Sequence, residues 1–132
     1  MAYVARKIPF VGTPDTNPET KPFFEACDQG KLMIKRCTKC KKPHFYPRDL
    51  CPFCFGDTTW EQASGKGTVY SFSTLERGSP PHTIAYVKLA EGPTVLTNIV
   101  EVDPKEIKIG QNVVVTFIKT EDGPSLPFFK PA

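Results

Sequence analysis

No stretch of this 132-residue chain joins the roughly 18 apolar residues that a bilayer-spanning helix needs, so a membrane-crossing helix is not expected. A large excess of charge of one sign is also missing. The net formal charge of +3 neither requires a polyanionic partner nor rules out a phosphate-bearing small molecule. Histidine is scarce: His44 and His82 are the only two, and neither has a sequence neighbour that suggests a nucleophile and its base. Long uninterrupted segments are lacking as well, because 14 prolines and 9 glycines divide the chain into turns and short strands and argue against long helices. There is no internal repeat or low-complexity run. The opening residues MAYVARKIPF contain no apolar core of a signal peptide, which gives the expectation of a reducing, cytoplasmic setting.

What the chain does have is cysteine in a pattern. Cys37, Cys40, Cys51 and Cys54 form two C-x-x-C pairs separated by 10 residues. Each C-x-x-C turn points two thiolates at one locus, and two turns complete a tetrahedral four-thiolate shell for a borderline or soft ion. Pro43, Pro52 and Gly56 suit the tight knuckles such a site needs. Zinc is the expected occupant, in a structural role, since four protein ligands leave no open position for a substrate. The C-P-x-C-x-G stretch also resembles the second knuckle of rubredoxin, which keeps iron as the other candidate. His44 is not needed as a fifth ligand. The remaining Cys27, close to Phe23 and Phe24, reads as a buried thiol on a helix face rather than a nucleophile.

Along the chain, residues 1–17 carry Pro9, Gly12, Pro14 and Asn17 with few apolar groups, and are expected to form an extended arm ordered by docking on a partner. Thr20 then offers an N-cap, Pro22 a first-turn residue and Gly30 a stop for one short amphipathic helix. Strands are expected over Leu32 to Arg36, His44 to Pro47 and Thr58 to Ala63, alternating with the two knuckles to make a ribbon over residues 18–64. Gly65 and Gly67 mark a break. Beyond it, Thr68 to Leu75, His82 to Leu89, Thr94 to Val100, Asn112 to Lys119 and a short Leu126 to Phe129 read as five strands over residues 65–132. A longer connection between the third and fourth suits a small closed barrel such as an OB-fold, with an open half-sandwich as the alternative. The fold class is therefore mainly β, with an N-terminal helix and a four-cysteine, rubredoxin-like zinc ribbon followed by a five-stranded OB-fold barrel. Trp60 is expected to bury against that barrel.

Taken in order, Phe23-Phe24-Glu25-Ala26, Gly30-Lys31-Leu32, Arg36-Cys37-Thr38-Lys39-Cys40, Tyr46-Pro47-Arg48, Cys51-Pro52-Phe53-Cys54, Gly65-Lys66-Gly67-Thr68-Val69-Tyr70-Ser71, Ile109-Gly110-Gln111-Asn112-Val113 and Leu126-Pro127-Phe128 resemble the DUF35 family. The resemblance implies a protein without a catalytic residue of its own that associates with acyl-CoA. It also implies a hetero-oligomer with a thiolase-like catalytic subunit, or with a hydratase or aldolase acting on CoA thioesters. Benzoylsuccinyl-CoA thiolase and the bacterial acyltransferases for phloroglucinol derivatives are systems of that kind. A CoA site needs cations for its phosphates and an apolar wall. Lys35, Arg36, Lys39 and Lys66 are the candidates for the phosphates, with Lys41, Lys42 and Arg48 nearby in sequence and Tyr46, Phe53 and Phe55 as candidate wall.

Two other readings compete. A zinc ribbon with an OB-fold also serves in single-stranded nucleic-acid binding, but the small net charge and the acidic residues of the barrel segment, Glu76, Glu91, Glu101, Asp103, Glu106, Glu121 and Asp122, argue against it. An iron-loaded electron carrier is the third, and the attached barrel is more than such a carrier requires.

Overall fold

The computed structural model describes residues 18–77, 80–121 and 123–132; the expected arm over residues 1–17 lies outside the described residues. Pro22 sits in the first turn of α1 (Lys21–Asp28) with Thr20 at the N-cap. The Thr20 carbonyl accepts from the N–H groups of Phe23 and Phe24 at 3.0 and 3.3 Å. Past the helix end Gly30 adopts φ 74°, the left-handed region that a residue without a Cβ enters freely. Phe23 and Cys27, four residues apart, turn the same face inward and are buried. Asp28 accepts from the Ser125 N–H at 2.8 Å and lies 3.8 Å from Lys119 Nζ. The helix is thereby fastened to the barrel as well as to the ribbon.

The ribbon is a three-stranded antiparallel sheet in the order β2 (Pro43–His44), β1 (Met33–Cys37), β3 (Thr58–Gln62). The second strand is shorter than the expected run to Pro47. Proline has no N–H to give the ladder, Pro47 is buried, and Phe45 and Tyr46 instead pack their rings at 5.7 and 6.1 Å from that of Phe23.

The barrel closes in the order β4 (Lys66–Leu75), β5 (His82–Leu89), β6 (Thr94–Ile99), β8 (Ser125–Pro131), β7 (Asn112–Lys119), with β7 returning to β4. Closure decides against the open half-sandwich and leaves no unpaired edge along the ring. The parallel contact Ile99 to Phe129 joins β6 to β8, and a bulge between Val69 and Ser71 bends β4, the longest strand. β8 is longer than expected because it pairs with β7 from Ser125 to Pro131. The β6–β7 connection holds a single 3-10 turn, Pro104–Glu106, capped by the Asp103 carboxylate, which accepts from the Lys105 N–H at 3.0 Å.

Strict alternation on β5 sends Thr83, Ala85, Val87 and Leu89 inward. Ala85, Val87 and Leu89 meet Val69, Val95, Ile99, Val113 and Phe129 in a core that continues into Phe23, Cys27, Leu32, Ile34 and Ala63 of the helix and ribbon. Trp60, expected to bury against the barrel, is half-buried against this shared core, and Lys35 Nζ lies over its ring, 4.4 Å from the ring centre. Among the described residues no helix is long and apolar enough to cross a membrane.

Candidate metal centre and its surroundings

β1 ends at Cys37, and the chain turns through Thr38 and Lys39 to Cys40; the second knuckle, Cys51 to Cys54, is closed by the Leu50–Asp57 bridge and by the Cys51 N–H to Gly56 carbonyl bond of 2.9 Å. The four Sγ atoms lie within 4.8 Å of one another. Across the knuckles, Cys37 and Cys54 approach to 3.5 Å and Cys40 and Cys51 to 3.6 Å. Thiolates about 2.3 Å from a central zinc define a tetrahedron with edges of about 3.8 Å, so the donor set fits such an ion. Cys37 Sγ accepts from the N–H groups of Lys39 and Cys40, both at 3.3 Å, and Cys51 Sγ from Phe53 N–H at 3.4 Å. Such bonds orient thiolates and offset part of their charge.

The thiol acidities express the same crowding. Burial pushes the Cys37 thiol up, but the N–H donors of Cys40 and Lys39 and the neighbouring thiols outweigh it and bring it down to about 6. Cys40 receives the N–H of Lys42, yet burial and the Cys37, Cys51 and Cys54 sulfurs drive it up to about 11. A divalent cation bound among the four sulfurs would favour their thiolate forms. Gly56 permits the packing: a Cβ there would lie 3.0 Å from both Cys37 Sγ and Lys39 Cβ.

Cys27 stands outside this cluster. It is buried in the helix–ribbon core, and burial, helped by the charge of Asp28, pushes its thiol up to about 12. His44 is buried on β2, where its Nε2 accepts from the Arg48 N–H at 3.3 Å and its Nδ1 is without a partner among the described residues. Burial, with the charges of Lys35 and Arg48 nearby, lowers its pKa.

The four candidate phosphate donors fall into two groups. Lys35 is buried, lies over Trp60 and sits 3.8 Å from Asp49 Oδ1. Arg36 clasps Glu61 through Nε and Nη2 at 3.0 to 3.3 Å and donates Nη1 to the Lys41 carbonyl at 2.7 Å. Lys39 is exposed on the first knuckle, and Lys66 is exposed on the barrel at the start of β4, in register with Val114. Tyr46, Phe53 and Phe55 are all exposed, and Arg48 lies over the Tyr46 ring at 5.9 Å.

A second exposed apolar area escaped the sequence reading. Ile84 and Tyr86 on β5 and Leu96 on β6 face outward beside Ser71 and Ser73, lining a shallow cavity of about 150 Å³. Both faces of β5 are largely apolar, so alternation alone could not say which one is covered.

Two family profiles match adjoining parts of the chain: the rubredoxin-like zinc ribbon domain of ChsH2 over residues 24–61, and the C-terminal OB-fold domain of ChsH2 over residues 60–117. A DUF35 domain-containing scaffold protein of Methanocaldococcus jannaschii is 34% identical over 101 residues, covering 70% of this chain and 72% of that one. The chain belongs to the DUF35 family. Another relative, a probable enoyl-CoA hydratase alpha subunit of Thermomonospora curvata, is 36% identical over 128 residues. That alignment takes in 90% of this DUF35 protein but 39% of the relative, so the chain spans about two fifths of the length of that protein. Among solved structures, the Ltp2–ChsH2(DUF35) aldolase superposes with a TM-score of 0.77 at 34% identity, covering 87% of this chain and 95% of that one. A DUF35 protein of unknown function from Sulfolobus solfataricus shares the fold, with a TM-score of 0.66 at 18% identity. This DUF35 protein thus carries a zinc ribbon domain whose four clustered cysteines support a structural zinc.

Proposed function

We propose that this DUF35 protein is a non-catalytic, acyl-CoA-binding accessory subunit that assembles with a thiolase-type enzyme for acyl-CoA thiolysis or acyl transfer. The observation that carries this reading is the match over 95% of the DUF35 chain of the Ltp2–ChsH2 aldolase, a chain described together with an enzyme partner. The relative described as an enoyl-CoA hydratase subunit adds a CoA thioester to the same picture.

In this reading Cys37, Cys40, Cys51 and Cys54 hold one Zn2+. A bound zinc supplies folding energy to the ribbon, whose strands are too short to enclose a core alone. Residues 18–64 form the helix-and-ribbon module and residues 65–132 the barrel. Lys35, Arg36, Lys39 and Lys66 serve the CoA phosphates; exposed Lys39 and Lys66 are free to move onto a ligand, while Lys35 and Arg36 stand beside Asp49 and Glu61 and would shape the site more than grip it. A single-stranded nucleic-acid module would want cations interleaved with outward aromatics. On the barrel, the outward area at Ser71, Ser73, Ile84, Tyr86 and Leu96 includes no cation, and the small net charge of +3 is weak for a polyanion, which together weigh against that alternative.

The test is capture of the tagged chain from its native host, with mass spectrometry of the bound proteins and metal analysis of the same sample. Recovery of a thiolase-type subunit near one-to-one, with one zinc per chain, is the expected result. Recovery of nucleic acid, or of an iron-coloured protein alone, would overturn the reading.

A further inference from the structure

The tip of the second knuckle combines three features that folding alone does not require. Phe55 stands in the left-handed region at φ 62°, which a residue bearing a Cβ occupies at a cost and a glycine does not. It is fixed there by its N–H bond to the Cys51 carbonyl at 2.9 Å. Its ring nonetheless contributes little packing, for Phe55 is 78% exposed and Phe53 beside it 59% exposed. Strain and exposure together disfavour phenylalanine at position 55 on grounds of stability, and an observed backbone outlier of this kind points toward function.

The third feature is charge. Lys42 Nζ lies 5.3 Å from the Phe53 ring, and Lys39 packs beside Gly56 at the base of the same knuckle. Lys41 occupies the matching left-handed position in the first knuckle at φ 66°. All three lysines are exposed. None is in ion-pair contact with a carboxylate among the described residues, whereas Lys35, Arg36 and Arg48 each are. Two projecting aromatics rimmed by uncommitted cations match the composition of an interface anchor.

We propose that Phe53 and Phe55, with the rim of Lys41 and Lys42, are the surface by which the ribbon docks on the thiolase-type subunit, entering an apolar socket edged with carboxylates. The proposal rests on the accessory-subunit reading and names the contact surface for it. A second copy of this chain does not suit the tip, because lysines would then face lysines. A projecting knuckle fills a socket and is not itself a pocket for a free small molecule.

The experiment measures dissociation constants between the purified thiolase-type subunit and the zinc-loaded full chain, as wild type, Phe55→Gly, Phe55→Ala, the double variant Lys41→Glu/Lys42→Glu, and Leu96→Ser on the distant barrel face. Zinc content is checked for each. Phe55→Gly is expected to melt at or above the wild-type temperature and yet bind roughly thirtyfold more weakly. Phe55→Ala loses the same affinity without gaining stability. The double charge reversal weakens binding by about tenfold or more and flattens its salt dependence, and Leu96→Ser binds like wild type. If Phe55→Gly and the double reversal keep full zinc and bind within about twofold of wild type, the docking surface is wrong while the accessory reading stands. Loss of CoA or oligo(dT) binding in those variants with partner affinity unchanged overturns it in favour of a ligand-binding tip. If the wild type itself captures no thiolase-type subunit, the accessory reading falls and the docking surface with it.

Discussion

At the scale of single residues, the lysines and arginines around the knuckles differ in what surrounds them. Lys35 covers Trp60 and Arg36 ties β1 to Glu61 of β3, so Lys35→Ala and Arg36→Ala should each destabilise the fold by about 1–2 kcal/mol through lost packing and lost charged hydrogen bonds. Lys39→Ala and Lys66→Ala should change stability by less than about 0.5 kcal/mol and instead weaken CoA binding. Denaturant melts beside calorimetric titration with CoA separate the two effects, and unaltered CoA affinity in both exposed-lysine variants would remove them from the site. His44 provides a pH dependence. Its folded pKa lies below the ordinary value of about 6.5 because the ring is buried beside Lys35 and Arg48. The unfolded chain therefore binds the proton more readily. Stability from this group is complete above about pH 6.5 and is lost as pH falls from there toward the folded pKa. His44→Gln should show a shallower loss of stability than wild type over that window, measured by urea midpoint against pH; equal slopes would show that other groups set it.

At the scale of elements, the joint between ribbon and barrel is built on a close approach. Gly65 has φ 81°, and a Cβ there would lie 2.5 Å from Val115 Cγ1, while its carbonyl accepts the Val115 N–H at 2.8 Å. The sequence marks Gly65 as a break between modules, and the structure shows why a glycine is needed: the chain enters β4 while pressed against β7. Gly65→Ala should destabilise the protein by about 2–4 kcal/mol, from backbone strain and overpacking together. A thermal melt tests this, and a shift within error of wild type would mean that β7 yields at Val115. The β5 and β7 bounds are those expected from alternation and turn residues. β2 and β8 are not: one stops at His44, before Phe45 and Tyr46 turn toward Phe23, the other is extended because β7 offers a partner along its length. Local propensity sees neither event.

At the scale of the whole molecule, helix, ribbon and barrel share one core. Ile34, Leu32 and Ala63 belong to the same cluster as Val69, Val87 and Phe129, and Asp28 fastens the helix to Ser125 and Lys119. Removing zinc with a chelator, or replacing Cys54 by serine, should therefore do more than unravel residues 18–64. The ribbon should lose its amide protection, and the barrel, deprived of one wall of its core, should melt at least about 10 °C lower. Hydrogen exchange with and without chelator decides this. A ribbon that stays protected at zero zinc would show that the metal does not hold it together, and retained structure with full zinc content in Cys54→Ser would show that Cys54 is not a ligand.

The sequence by itself determined the features written in local spacing. Two C-x-x-C pairs fix which thiols can meet, Pro22 and Gly30 bound the helix, and five strand-like runs with one long connection describe a small β unit that closed pairing of β7 with β4 then made a barrel, because the runs themselves depend on neighbours a few residues apart. Tertiary structure decided the features that depend on distant partners. It committed Lys35 to Trp60 and Asp49 and left Lys39 open. It covered one apolar face of β5 and exposed Ile84 and Tyr86 on the other, and it left Phe53 and Phe55 on the surface instead of in the core. Burial is a property of what packs against a residue, and composition along the chain carries no record of that.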